Sequence, residues 1–295
     1  MRTPATRAAR AAVRGRAVRS SAGLLAGAAL VAVGAWSTAA SAQTAEVVSE
    51  TTVRVCGDPA NMPFSNEAGE GFENRIAELL AKHLGLPLEY TWFPQATGFV
   101  RNTLVAKRCD VVIGYAAGGD PVQNTNPYYK SAWTLIYRKG QGLDGVESLH
   151  DPRIKGRRLG VIAGTPPATI MALNGLIGSA KPYALVVDRR FESPAEEMIR
   201  DIASGDVDGG ILWGPIGGYF AKRAGVPLTV VPLVKETQGP PMTYRVTFGL
   251  RHGEITWKHR LNDFIAARQP EINRILIDYG VPLLDEQDRA IAAPR

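Results

Sequence analysis

The chain has 295 residues, 45% of them hydrophobic and 21% charged, with a formal net charge of +6. Six arginines and no acid lie within the first 19 positions, so residues 43–295 are formally neutral and a nucleic-acid-binding reading loses its electrostatic basis. Only two cysteines occur, with no histidine partners at metal-ligand spacing.

The first element is not structural. Arginine-rich Met1–Ala22 leads into the apolar run GLLAGAALVAVGAW and then the small-residue site Ala40-Ser41-Ala42, the order of a secretory signal peptide over 1–42. The apolar run is shorter than the roughly 20 residues a spanning helix needs, and no later run is long enough, so the sequence predicts export without stable membrane insertion.

The stretch TTVRVCG reads as a strand. A polar loop with Asp58, Asn61, Phe64, Asn66, Glu67 and Glu70 follows. A helix over 73–84 comes next, with Ile76, Leu79, Leu80 and Leu84 on one face and Gly85 as its stop. Strand LPLEYTWF, a short helix over 98–107 and the apolar strand DVVIGY complete this series. Parallel strands joined by crossover helices gather the loops at their C-terminal ends, so the loops after Gly57 and Tyr115 are expected to line one crevice. Cys56 and Cys109 each abut a predicted strand and fit either a disulfide or two small buried thiols.

After a charged linker the pattern restarts at RRLGVIAG, with Gly164-Thr165-Pro166 opening a helix. Ser193 is placed to cap a helix whose Ala195, Met198, Ile199 and Ile202 repeat at helical spacing up to Gly205. VDGGILW, GPIGGYFAKRAG and LTVVPL add strand, helix and strand. Residues 242–250 alternate as a strand, and two helices are expected over 254–268 and 270–279. The strand–helix alternation predicts an α/β protein of two similar lobes with a cleft between them.

These strings carry a resemblance. VRVCGDPANMPFSNEAGEGFENRIAELLA, RCDVVIG, PYYKSAWTLIYRKG, IKGRRLGVIAGTPPA and SGDVDGGILWGP look like a type II periplasmic solute-binding protein over most of 51–284. LEYTWFPQATGFVRNTL and RCDVVIGYAAGGD narrow the resemblance to the MxaJ/XoxJ accessory proteins associated with quinoprotein methanol dehydrogenases. It implies the type II periplasmic binding fold, two Rossmann-like lobes joined by a hinge, with lobe 1 at 43–140 plus 241–295 and lobe 2 at 141–240. It also implies a periplasmic location and a PQQ-dependent methanol dehydrogenase as partner, any quinone and metal belonging to that enzyme and no cofactor to this chain.

Amino-acid binders of this fold clamp the ligand carboxylate with an arginine after the third strand and hold its ammonium with an acid. Here no Arg or Lys stands between Tyr115 and Tyr129, and Trp213 takes the place of the acid. The expected cleft residues are Asp58, Asn61, Phe64, Glu70, Phe93, Tyr115, Thr165 and Trp213. For Asp58 a turn or backbone cap is an equal reading, and Phe93 reads more simply as core. Gly164-Thr165 could hold an anion through free N–H groups, although an N-cap by Thr165 is the simpler role.

Catalysis finds little support. The histidines are scattered, and no catalytic or phosphate-loop motif occurs. Glu67, Glu70 and Glu73 offer an acid/base pair in principle, but Glu73 in a first helical turn reads as a helix-dipole partner. The expectation is a non-enzymatic accessory protein whose cleft receives a partner segment or a small ligand. The alternative is a solute receptor for an ABC importer with a ligand other than a standard amino acid.

Overall fold

The structure, a computed structural model, describes residues 47–291; the expected signal peptide lies outside them. In chain order the strands are β1 (Val53–Gly57), β2 (Ala60–Asn61), β3 (Ser65–Asn66), β4 (Leu88–Trp92), β5 (Val111–Ala116), β6 (Gln123–Asn124), β7 (Tyr129–Arg138), β8 (Leu159–Ile162), β9 (Lys181–Tyr183), β10 (Gly209–Trp213), β11 (Leu228–Pro232) and β12 (Thr243–Leu250). The α-helices are α1 (Phe72–Leu84), α2 (Pro166–Leu173), α3 (Pro194–Ser204), α4 (Gly214–Ala221) and α5 (Ile255–Asp278).

Ten of the strands share one sheet in the order β4-β1-β5-β12-β7-β10-β8-β9, with β6 on β12 and β11 on β7. β1 runs parallel to β4 and β5, which carries the loop after Gly57 and the loop after Ala116 to the same end of the sheet. β7 is the seam. Its first residues pair with β12, and from Trp133 onward it pairs with β10, where Trp133 stands opposite Trp213.

Hydrophobic burial follows the expected faces. Ile76 and Leu80 of α1 bury against Phe248, Leu261 and Phe264, and Met198, Ile199 and Ile202 of α3 bury under β10. Each helix ends on a left-handed glycine, Gly85 and Gly205, where a side chain would be strained. Ser193 accepts the Glu196 N–H at 3.3 Å, as a capping serine does.

One open alternative is settled and one expectation changes. Cys56 and Cys109 form a disulfide with their Cα atoms 5.4 Å apart, tying β1 to the residue that leads into β5. Residues 255–278 form one helix rather than two. Pro270 removes one backbone hydrogen bond, yet Leu261, Phe264 and Ile265 before it and Ile272 and Leu276 after it share one buried core, and that burial outweighs the break.

Beside the disulfide, the buried Asp110 carboxylate takes two 2.7 Å hydrogen bonds from Arg54 and one of 2.6 Å from Arg251. Arg251 also meets Glu254. This paired cluster anchors β5 and the start of α5 beneath the cleft.

Candidate binding cleft

The loop after β1 is held by its own side chains. The Asp58 carboxylate accepts the Ala60 N–H at 2.9 Å and the Gln95 N–H at 2.7 Å, and Ser65 bonds the Asp58 backbone. Asn74 Oδ1 accepts the N–H groups of Asn66 and Gly71, which ends the loop and starts α1. Gly71 is required there because a Cβ would enter the Phe64 backbone. The loop therefore presents Asn61 and Phe64 from a fixed frame.

Phe64 and Trp213, two of the expected residues, line one cavity of about 360 Å³. Tyr129, Trp133 and Tyr244 complete its aromatic wall, with Trp213 ring centroids 6.0 Å from Trp133 and 5.8 Å from Tyr244. Both contacts are edge-on, so the three rings make corners rather than a flat stack. Gly114 and Gln95 close another side. Trp133 and Trp213 also line a groove of about 580 Å³ that contains Asn61 and Thr165. Tyr115 lines a third, open groove of about 800 Å³, which shares Gln95, Gly114 and Tyr244 with the cavity.

Three expected residues lie outside these spaces: Asp58, which lines a further groove at the rim, Glu70 and Phe93. Glu70 is on the surface, where its carboxylate accepts from Asn66 Nδ2 at 2.9 Å. Phe93, just past β4, packs against the cluster around the disulfide. Thr165 lines the groove without capping α2: its hydroxyl donates to the Ile162 carbonyl at 2.7 Å. Pro166 and Pro167 then leave the first two positions of α2 without N–H groups, which removes the donors an anion would use.

Glu73 departs most from its sequence reading. It is only 7% exposed and lines the aromatic cavity, with no hydrogen-bond partner for its carboxyl among the described residues. Burial pushes its pKa well above the ordinary carboxyl value, and the nearby Asp58 charge adds to the rise. A neutral carboxyl gains little from the helix dipole. Gly114, at φ +88°, is where a Cβ would overlap the Glu73 carboxyl. Burial likewise raises the pKa values of Tyr128 and Tyr129, with Glu73 a lesser cause.

No arginine or lysine lines the Glu73 cavity. An arginine and a carboxylate do converge at its outer neighbour, a groove of about 770 Å³ between the β1 loop and residues 185–190. There Arg189 Nη1 lies 3.3 Å from Asp58 Oδ2. They engage each other, and Asp58 is also occupied by backbone donors, so this pair is a strut rather than an open ligand clamp. On the same rim Val186 is 86% and Phe191 80% exposed.

No family model matches the chain. A solved structure of periplasmic binding protein XoxJ from Methylobacterium extorquens AM1 is 45% identical, with TM-score 0.68, covering 79% of this chain and 100% of that one. Protein MoxJ from Methylorubrum extorquens is 30% identical over 250 residues, 79% of this chain and 82% of the relative. The chain belongs to the MoxJ/XoxJ family of periplasmic binding proteins. A third family member, MxaJ from Methlophaga aminisulfidivorans MPT, is 27% identical with TM-score 0.67, covering 79% of this chain and all of that one. The fold is that of the type II periplasmic binding proteins. Among the described residues no helix is long and apolar enough to cross a membrane.

Sequence reasoning missed Tyr129, Trp133 and Tyr244. Trp133 and Trp213 are 80 positions apart in sequence and meet only through strand register. Glu73 carries no local signal, because an acid in a first helical turn reads as a dipole partner whichever way it faces.

Proposed function

We propose that this is a periplasmic accessory protein, not an enzyme, that docks on a PQQ-dependent methanol or alcohol dehydrogenase and assists its assembly or activation. Family membership supports a binding role. The observation that carries the reading is the replacement of the amino-acid handles by an aromatic wall, Trp213 beside Trp133, with no cation lining the cavity. A zwitterion taken out of water there would find no cation for its carboxylate. Aromatic anchors in a desolvated pocket are the usual hot spots of protein interfaces.

In this reading the rim carries the first contact, through the exposed Val186 and Phe191 and the flanking Arg190. A segment of the dehydrogenase then enters the groove lined by Asn61, Thr165 and Trp213. The test is association of the mature protein with its cognate dehydrogenase, measured by calorimetry with the enzyme in cofactor-free and loaded forms. Binding to at least one form, weakened by Phe191→Ser, is the expected result. No binding to any form overturns the proposal. The Glu73 cavity, with a buried carboxyl among aromatic rings, favours a second reading, a receptor for a small ligand delivered to an importer, which predicts ligand-induced stabilisation without the dehydrogenase.

A further inference from the structure

We propose that the Glu73 cavity is a recognition site for an organic cation, an alkylated ammonium or a guanidinium group, with Glu73 as its counter-charge. The walls are Phe64, Tyr129, Trp133, Trp213 and Tyr244, whose ring faces carry the negative end of their quadrupoles. Trp213 meets Trp133 and Tyr244 edge-on, so the three rings border the volume at different angles rather than as one stack. Within it, one carboxyl sits at the start of α1, more than nine-tenths buried and without a hydrogen-bond partner among the described residues.

A buried carboxyl left unpaired is costly in either protonation state, and the cost is offset when a partner arrives. The surroundings select the sign of that partner. Among the described residues no lysine or arginine lines the cavity, and the α2 end at it begins with two prolines. The donors there are neutral ones, such as the buried and unpartnered Trp133 Nε1–H, and the one ionisable acid, Glu73, favours a cation. The volume of about 360 Å³ accommodates a small ligand or one long side chain. Alkylated ammonium and guanidinium ions are weakly hydrated, so an aromatic box replaces their water at lower cost than it would for a bare ammonium.

Binding carries a proton balance. In the empty site burial favours the protonated form of Glu73, whereas a bound cation favours the carboxylate, so binding shifts the group toward release of its proton to solvent. The groups facing Glu73 are Asp58 from the β1 loop, Tyr90 from β4, Tyr128 and Tyr129 around the start of β7, and Tyr244 from β12. Burial keeps Tyr90, Tyr128 and Tyr129 neutral over the physiological range, and Asp58 is paired with Arg189. Affinity should therefore rise with pH through the Glu73 titration.

This inference stands apart from docking on a dehydrogenase and is tested without one. The mature protein is titrated at constant ionic strength with choline, with its neutral isostere 3,3-dimethylbutan-1-ol, and with N-acetyl-arginine amide, by calorimetry and tryptophan fluorescence. At least one cation is expected to bind saturably, about tenfold or more tighter than the neutral alcohol, with proton release seen as buffer-dependent heat. Choline binding tighter marks a free small cation as the source; the arginine amide binding tighter marks a side chain of a polypeptide. Glu73→Gln, checked for folding by circular dichroism, is expected to lose about tenfold or more of cation affinity while leaving the alcohol unchanged. Equal binding of alcohol and cations, unchanged cation affinity in Glu73→Gln, or no binding of either cation at millimolar concentration overturns the assignment.

Discussion

At the scale of single residues, the stability of this protein should depend on pH through Glu73. Its folded-state pKa lies above the unfolded value of about 4.3, so its contribution is whole below that pH and is lost as the pH rises toward the folded pKa. Glu73→Gln removes the titration. The variant should match the parent near pH 4 and exceed it in melting temperature at pH 8, as read by thermal denaturation across that range. A parent–variant difference that is flat with pH would show that the carboxyl is not held protonated. Asp110 is the opposite case, a buried charge that is fully paired. Removing it with Asp110→Ala leaves Arg251 with Glu254 as its one acidic partner and takes the carboxylate from Arg54, and should cost about 3 kcal/mol in denaturant unfolding, whereas exposed pairs such as Arg75–Glu78 should cost about 0.5 kcal/mol or less. Neither role was readable from local pattern. An acid at a helix start looks the same in sequence whether it faces water or a cavity, and the partners of Asp110 lie 56 and 141 residues away.

At the scale of elements, the sequence was most legible where one periodicity decides the outcome. The stripe of α3, the αL stops at Gly85 and Gly205 and the order of β1, α1 and β4 all follow from spacing and turn chemistry. It was least legible where two distant segments settle a local question. Pro270 promised a break, and the packing of α5 on both sides kept one helix. The disulfide was likewise undecidable until β1 and β5 were seen as neighbours. That bond closes a loop of 53 residues, for which chain entropy suggests about 4 kcal/mol of stabilisation. The Cys56→Ala, Cys109→Ala double variant should show most of that loss in urea unfolding, while keeping the secondary structure seen by circular dichroism. A loss well under about 1 kcal/mol would mean the strand pairing alone confines the unfolded loop.

At the scale of the whole molecule, the question is what holds the cleft in its present form. The proposed division sets 43–140 with 241–295 against 141–240, and Asp58–Arg189 joins these parts at the rim of the cleft. Arg189 is substantially exposed, so solvent screening limits this pair to about 1 kcal/mol or less of global stability. Its effect on the cleft is larger in proportion, because opening one face of a hinged molecule needs far less free energy than unfolding it. Arg189→Ala should therefore leave the melting temperature nearly unchanged while increasing hydrogen exchange at residues 58–61 and 185–190, the two segments the pair joins. X-ray scattering should report a slightly larger radius of gyration for the variant, and occupation of the cleft should reverse the change in both proteins. Unaltered exchange in those segments would mean that the two sides of the rim are held by contacts other than this pair, and that Arg189 is a bystander.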